Sequence, residues 1–221
     1  MIKNTMKWIK EHPHCRLLGY WIFYLIYFFL LERIVVAKYI LYSPIDAHIP
    51  FLEIFIIPYA LWFPLLAVSQ GYYMLKDRKE FQNLCFFMFT GMSICLLIYT
   101  ILPNGLDLRV DHYPDNVFAN IVSMLQGFDS PTNVCPSIHV STTLAIHLSV
   151  LRYKNFKHPL LLKGSTSILS ILIILSTMFL KQHSIIDVVA GILLTLVLYP
   201  ITYHTNWKKL FQHTFIRKYL N

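Results

Sequence analysis

Two short polar islands interrupt an otherwise apolar chain. One is Cys135-Pro136-Ser137-Ile138-His139; the other is Lys181-Gln182-His183-Ser184-Ile185-Ile186-Asp187, whose histidine follows His139 by 44 positions. An ionisable group beside membrane-spanning sequence is costly unless it works or is paired. Two histidines, one with a carboxylate four residues on, are the parts needed for phosphoryl transfer through a histidine nucleophile.

Asp187 lies four positions after His183, which places both on one face of a helix. A carboxylate there can accept the Nδ1 proton, fix the tautomer, leave Nε2 as nucleophile and stabilise the cation formed on attack. The plainer alternative is a helix-end histidine and aspartate that satisfy one another. Pro136 and Ser137 suit a helix N-terminus, where unpaired amides make an anion site and a serine adds a donor. His139 could then protonate a leaving alkoxide; the alternative is an ordinary cap with an interfacial histidine. Arg109 and Lys181 are candidate phosphate ligands, or else a solvated loop charge and an interface anchor. Asp46 and His48, in Asp46-Ala47-His48-Ile49-Pro50, could approach a headgroup or form a plain polar turn. Cys135 reads as a small residue before a helix start. With no C-x-x-C spacing among four cysteines, a disulfide framework is not expected.

These residues must be held by membrane helices. The 221 residues are 56% hydrophobic and only 14% charged, richer in apolar side chains than soluble domains at about 45–50%. A single all-α integral membrane domain over 1–221 is expected. Apolar runs at about 17–37, 51–75, 84–102, 138–151, 164–180 and 185–203 predict six spans. The last two are separated only by Lys181-Gln182-His183-Ser184, so the chain must reverse there without Gly or Pro. Within the polar loop 103–135, Val117–Gln126 has the apolar spacing of a short interfacial helix.

Charge orients this arrangement. The N-terminus (Lys3, Lys7, Lys10, Arg16), the 76–79 and 152–163 loops and the C-terminal tail hold 15 of the 19 Lys and Arg, while eight of the eleven acids lie on the other side. Lysine and arginine prefer the cytoplasm, so both termini are expected inside, in a plasma (inner) membrane, with His139, His183 and Arg109 facing outward. The net charge of +8 is thereby assigned to the membrane surface rather than to nucleic acid.

Together these residues resemble the type-2 phosphatidic acid phosphatase superfamily. Pro136-Ser137-Ile138-His139 matches its Pro-Ser-x-His motif, and His183 with Asp187 matches the end of its third motif, followed by an apolar helix with Gly191. The resemblance covers roughly 102–196. It implies His183 as nucleophile, His139 as acid and Ser137 as a phosphate contact, with no metal or other cofactor. The chain departs from the pattern at Leu102 and Val110, where the first motif has Lys and Pro, and at Thr177, where the third has Arg. Ser176-Thr177 with Lys181-Gln182-His183 looks closer to the branch with inositol-phosphorylceramide and sphingomyelin synthases.

The resemblance thus implies a lipid phosphatase acting on phosphatidate, phosphatidylglycerol phosphate or an isoprenyl pyrophosphate. One alternative is a phosphotransferase that hands the phosphoryl or phospho-headgroup to an alcohol. Another, from a different class, is a transporter or metal-binding membrane protein in which His139, His147, His183 and Asp187 line an ion route.

Overall fold

The computed structural model describes residues 11–220; the cations at Lys3, Lys7 and Lys10 lie outside the described residues. The described chain is mostly helical. A 3-10 turn at Pro13–Gly19 leads into α1 (Tyr20–Ile34). Short strand β1 (Tyr39–Ile40) and 3-10 turns at Pro44–His48 and Glu53–Phe55 follow, then α2 (Ile56–Ala60) and α3 (Trp62–Lys76). Next come α4 (Arg78–Ile101), β2 (Asn104–Gly105), α5 (Val117–Phe128), α6 (Ile138–Arg152), α7 (Pro159–Phe179), α8 (Ile185–His204) and α9 (Arg217–Leu220).

Five helical stretches are long and apolar enough to cross a membrane: Pro13–Ile34, Glu53–Lys76, Arg78–Ile101, Pro159–Phe179 and Ile185–His204. The sixth expected span, α6, has 15 residues and so runs only about 22 Å at 1.5 Å per residue. Its composition explains why it stands apart. Ser141, Thr142, Thr143 and Ser149 are all buried on it, and it packs against α3, α4, α7 and α8. A helix packed by neighbours over most of its surface does not need the apolar surface of a lipid-facing one.

The starts of the helices carry their own signals. Asp77 accepts from the Glu80 amide at 3.1 Å to begin α4, and Asn116 accepts from Ala119 at 3.0 Å to begin α5. The largest core cluster gathers α4 with α1, α3, α6 and α8 around Phe81, Leu84, Met92, Leu96 and Ile146.

The reversal between α7 and α8 is made by a lysine. Lys181 adopts φ 57°, its amide donates to Met178 O and the Gln182 amide to Thr177 O, both at 2.9 Å. This is the paired closure that glycine usually makes at a helix C-terminus. The His183 amide also donates to Thr177 O, at 3.0 Å, so the turn that ends α7 fixes the backbone of His183.

The long loop is ordered by a small sheet that the all-α expectation did not include. β1 pairs in parallel with β2, and Gly105 bridges to Thr132. Any side chain at Gly105 would meet Pro131 O at 2.6 Å and Ala37 Cβ at 2.8 Å. A helix forms at Val117–Phe128, two residues longer than expected, and Gln126 Nε2 ties it to Leu180 O at 2.8 Å. The loop thereby folds back over the α7–α8 reversal.

Candidate active site

The N-termini of α6 and α8 abut, and both polar islands lie at that junction. Ser137 caps α6, accepting from the Val140 amide at 3.3 Å, while its own amide donates to Asp187 O at 3.1 Å. Close approach requires Gly191: a Cβ there would lie 2.9 Å from Ser137 O and 3.1 Å from Val140 Cβ. Ser184 caps α8, accepting from the Ile186 amide at 3.1 Å. The Ser141 amide donates to Ser137 O at 3.0 Å. This leaves the Ile138 and His139 amides as the donors the α6 end can offer an anion.

His183 Nδ1 lies 3.3 Å from Asp187 Oδ2, and the same oxygen accepts from the Ser184 amide at 2.9 Å. The carboxylate is therefore held from two sides and leaves Nε2 of His183 free of it. The ring of His139 stands 5.7 Å from that of His183, centroid to centroid. His139 is seated against Trp62 at 4.2 Å and Tyr59 at 4.8 Å, and Trp62 is itself fixed by donating to Thr142 Oγ1 at 3.0 Å.

Both histidines line one cavity with about 440 Å³ of empty space, its open mouth included. Tyr59, Tyr99, Asp129, Asn133 and Gln182 share its wall. Its floor loop is held by residues that motif spacing did not reveal. Asn104 Oδ1 accepts from the Val134 and Cys135 amides at 3.0 and 2.8 Å, and its Nδ2 donates to Cys135 O at 3.0 Å. Tyr99 donates to Pro136 O at 2.6 Å. Burial, and then the negative charge of Asp187, push the Cys135 thiol up to about 12, so it stays protonated at neutral pH and has little nucleophilic character.

Ser137 and Asp187, both fully buried, and the other sequence-nominated residues lie outside the lining of the cavity. Arg109 donates through both terminal nitrogens to Gln126 O and Asp129 O at 2.6 Å. Lys181 Nζ donates to Asp46 O at 2.9 Å and to Ile49 O. Both expected phosphate ligands are thus committed to backbone carbonyls; each stabilises a segment of loop. Asp46, a possible headgroup contact or part of a plain polar turn by its sequence, is turned inward and only 2% exposed. It accepts from Ser184 Oγ at 2.6 Å, the Ser43 amide at 2.9 Å and the Ile185 amide at 2.9 Å. His48 is exposed, with Nδ1 3.0 Å from Pro44 O. Ser176 and Thr177 are fully buried and donate to carbonyls of their own helix, Ile173 O and Ile174 O. Among the described residues no group of three His, Cys, Asp or Glu is placed to hold a metal ion.

No curated protein and no solved structure matches the chain significantly. The family model described as the PAP2 superfamily does match, over residues 60–211. That stretch opens in the segment that seats His139, takes in both polar islands and the abutting helix ends, and closes beyond the last apolar helix. With the match covering more than half of its length, this chain belongs to the PAP2 superfamily.

Proposed function

We propose that the protein is a metal-independent lipid phosphatase that works through a phosphohistidine on His183. Members of the superfamily are phosphatases and phosphotransferases, and the apolar helices indicate a multi-pass membrane protein. The observation that carries the reading is the pairing of His183 with Asp187 at 3.3 Å, with the His139 ring across the same cavity.

In this mechanism His183 Nε2 attacks phosphorus in line while Asp187 holds Nδ1 and balances the growing positive charge. The Ile138 and His139 amides, with the Ser137 hydroxyl at the same helix end, meet the equatorial oxygens. The bond from phosphorus to the lipid oxygen breaks, and protonated His139 gives that oxygen its proton. His139 then takes a proton from water, which cleaves the P–N bond and returns His183. Arg109 and Lys181 act by holding the loops that close the site. The protein would cross the membrane six times, α6 included, with both termini cytoplasmic, α5 on the membrane face and the cavity open to the outer leaflet. Phosphatidate, phosphatidylglycerol phosphate and isoprenyl pyrophosphates are the candidate substrates.

A second reading, transfer to an alcohol, is favoured by one feature: the cavity wall contains no Lys or Arg among the described residues. A site for free phosphate monoesters ordinarily surrounds the dianion with cations. Product analysis with labelled lipid separates the two, since water yields free phosphate or phosphorylated headgroup, whereas an alcohol yields a new phosphate ester, a monoester from phosphoryl transfer and a diester from phospho-headgroup transfer. Activity in chelator that vanishes in His183→Ala and His139→Ala supports the shared mechanism; activity retained in His183→Ala overturns it.

A further inference from the structure

A second hollow, with about 1210 Å³ of empty space, its mouth included, opens at the end of the helices away from the paired histidines. Its walls come from opposite ends of the chain. Gly19 and Tyr20, where the first helix begins, form one; Phe211 and Phe215 of the C-terminal tail form the other; Phe86 and Phe89 of α4 lie between them. The tail is pinned to α4. Trp207 stacks on Phe86 at 4.2 Å between ring centroids and donates Nε1–H to Asn83 Oδ1 at 3.2 Å. Gln82 Nε2 donates to Tyr219 O and Leu220 O at 3.0 and 3.2 Å. From Gln82 to Ser93, both in the lining, α4 runs about 16 Å at 1.5 Å per residue. That is close to one leaflet of a hydrocarbon core about 30 Å thick. At the deep end the Tyr20 hydroxyl is paired with Ser93 Oγ at 2.8 Å, so neither group there calls for a polar ligand.

The mouth of this groove is positive. Arg16 lies over the Tyr219 ring at 5.7 Å and Lys218 at 4.9 Å. Hydrogen bonding from Lys218, and then from Arg16, holds the Tyr219 hydroxyl below the usual range of a phenol. Lys208 donates to Gln82 Oε1 and to Leu220 O; burial, and then the charges of Arg78 and Lys79, lower its pKa. Arg16, Lys208 and Lys218 form no salt bridge with an acid among the described residues, and Glu80, near the start of α4, is taken by Arg152 at 3.0 Å. No Asp or Glu occurs from 188 to 221. Like charges gathered without a counter-ion repel one another, and a bound anion relieves that.

A soluble anion would use the mouth and leave the groove empty, which forfeits the contacts its apolar walls can make. An uncharged alkyl chain would fill the groove and leave the cations unmatched. We propose that the groove binds one anionic phospholipid of the phosphatidylglycerol type, its phosphodiester at Arg16, Lys218 and Tyr219 and one acyl chain along Phe86 and Phe89. This lipid sits in the leaflet on the side of the chain termini, apart from any lipid that reaches His183. By touching Gly19, α4 and Phe215 at once it clamps the C-terminal tail to the first helix. An ethanolamine headgroup fits less well, because its ammonium brings another positive charge to a positive mouth.

The test uses the full-length protein, stripped of lipid in detergent and titrated with phosphatidylglycerol or phosphatidylethanolamine of matched chains. Bound lipid is read by native mass spectrometry, alongside the thermal midpoint. Phosphatidylglycerol is expected to bind about tenfold more tightly and to raise the midpoint. Arg16→Gln combined with Lys218→Gln is expected to bring the two lipids level. Gly19→Leu, at a position where a Cβ meets nothing within 4 Å, is expected to fill the groove and weaken both lipids by about tenfold, with the lipid-free midpoint unchanged. Glycerol phosphate, which has the anion without the chain, is expected not to displace the lipid. Equal affinity of wild type for the two lipids overturns the proposal, as does selectivity that survives in the Arg16 and Lys218 double variant. Unweakened binding in Gly19→Leu overturns it too, and so does displacement by glycerol phosphate, a result that needs no variant to fold.

Discussion

The Ser184 hydroxyl donates to Asp46 Oδ2 at 2.6 Å across 138 positions of chain. Ser184 also donates its amide to Asp187 Oδ2, the oxygen that faces His183 Nδ1. Asp46 is therefore one bonded residue away from the carboxylate that orients the proposed nucleophile, and it grips the start of α8 a second time through the Ile185 amide.

Asp46 is accordingly a positioning residue. Asp46→Ala strips the acceptor from the buried Ser184 hydroxyl, worth about 1–3 kcal/mol when left unpaired, and from the part-buried Ser43 and Ile185 amides. A lower thermal midpoint is expected, with kcat falling more than KM rises, and Asp46→Asn should recover part of both. A folded Asp46→Ala enzyme with wild-type kcat would show that this bond does not set the geometry of His183.

Lys181 separates two roles by its variants. Its left-handed backbone costs about 1–2 kcal/mol for a residue with a Cβ, while its ammonium satisfies Asp46 O and Ile49 O. Lys181→Met keeps the backbone cost and loses the clamp; Lys181→Gly loses the clamp but relieves the backbone. Denaturation should rank wild type above Lys181→Gly and that above Lys181→Met. If instead Lys181→Met keeps full stability and only KM rises, the lysine is a direct phosphate ligand.

Gly191 sets how closely α6 and α8 meet. Gly191→Ala pushes Cβ against Ser137 O at 2.9 Å, and overpacking of that kind costs about 1–3 kcal/mol. Gly164→Ala, where nothing lies within 4 Å, is the control and should be neutral or slightly stabilising. Loss of turnover in the first and not the second, in protein that remains folded, ties catalysis to the abutting helix ends.

Burial, and then the charge of Glu32, raise Asp129 to about 6, although Arg109 and His183 pull the other way. A carboxyl raised in the folded state binds its proton more tightly there than in the unfolded chain. Its stabilising contribution is complete below the unfolded value near 4 and is lost as pH rises through about 6. Asp129→Asn removes that dependence. Between pH 4 and 7 the wild type should lose on the order of 1–2 kcal/mol relative to the variant, after allowance for solvent at the carboxylate. Parallel thermal midpoints for the two proteins across that window would show that Asp129 is not perturbed.

What spacing alone revealed was local. His183 and Asp187 share a helix face because four positions make one turn, and Pro136-Ser137 marks the start of α6 because proline and serine suit such starts. The helices at 17–37, 51–75, 84–102, 164–180 and 185–203 follow from apolar run length, and each overlaps an observed one with ends at most six residues apart. The supports of the site were not legible. Asn104 reaches Cys135, Tyr99 reaches Pro136, Glu32 reaches Asn133 and Asp46 reaches Ser184, over separations of 31 to 138 positions. No periodicity reports such pairings. Arg109 and Lys181 drew attention as cations, whereas the structure uses them to hold carbonyls, because buried loops must satisfy their backbone before they can bind a ligand.

The central claim is that His183 carries the phosphoryl group. The most direct measurement is rapid quench of the protein with labelled lipid donor, followed by peptide mapping of the acid-labile phosphorus, in wild type and in His139→Ala, in which both formation of the phosphohistidine and its hydrolysis should be slowed. Label confined to the peptide containing His183, and longer-lived in His139→Ala, is the expected result. Label on any other residue, or turnover in a His183→Ala protein, would contradict the mechanism.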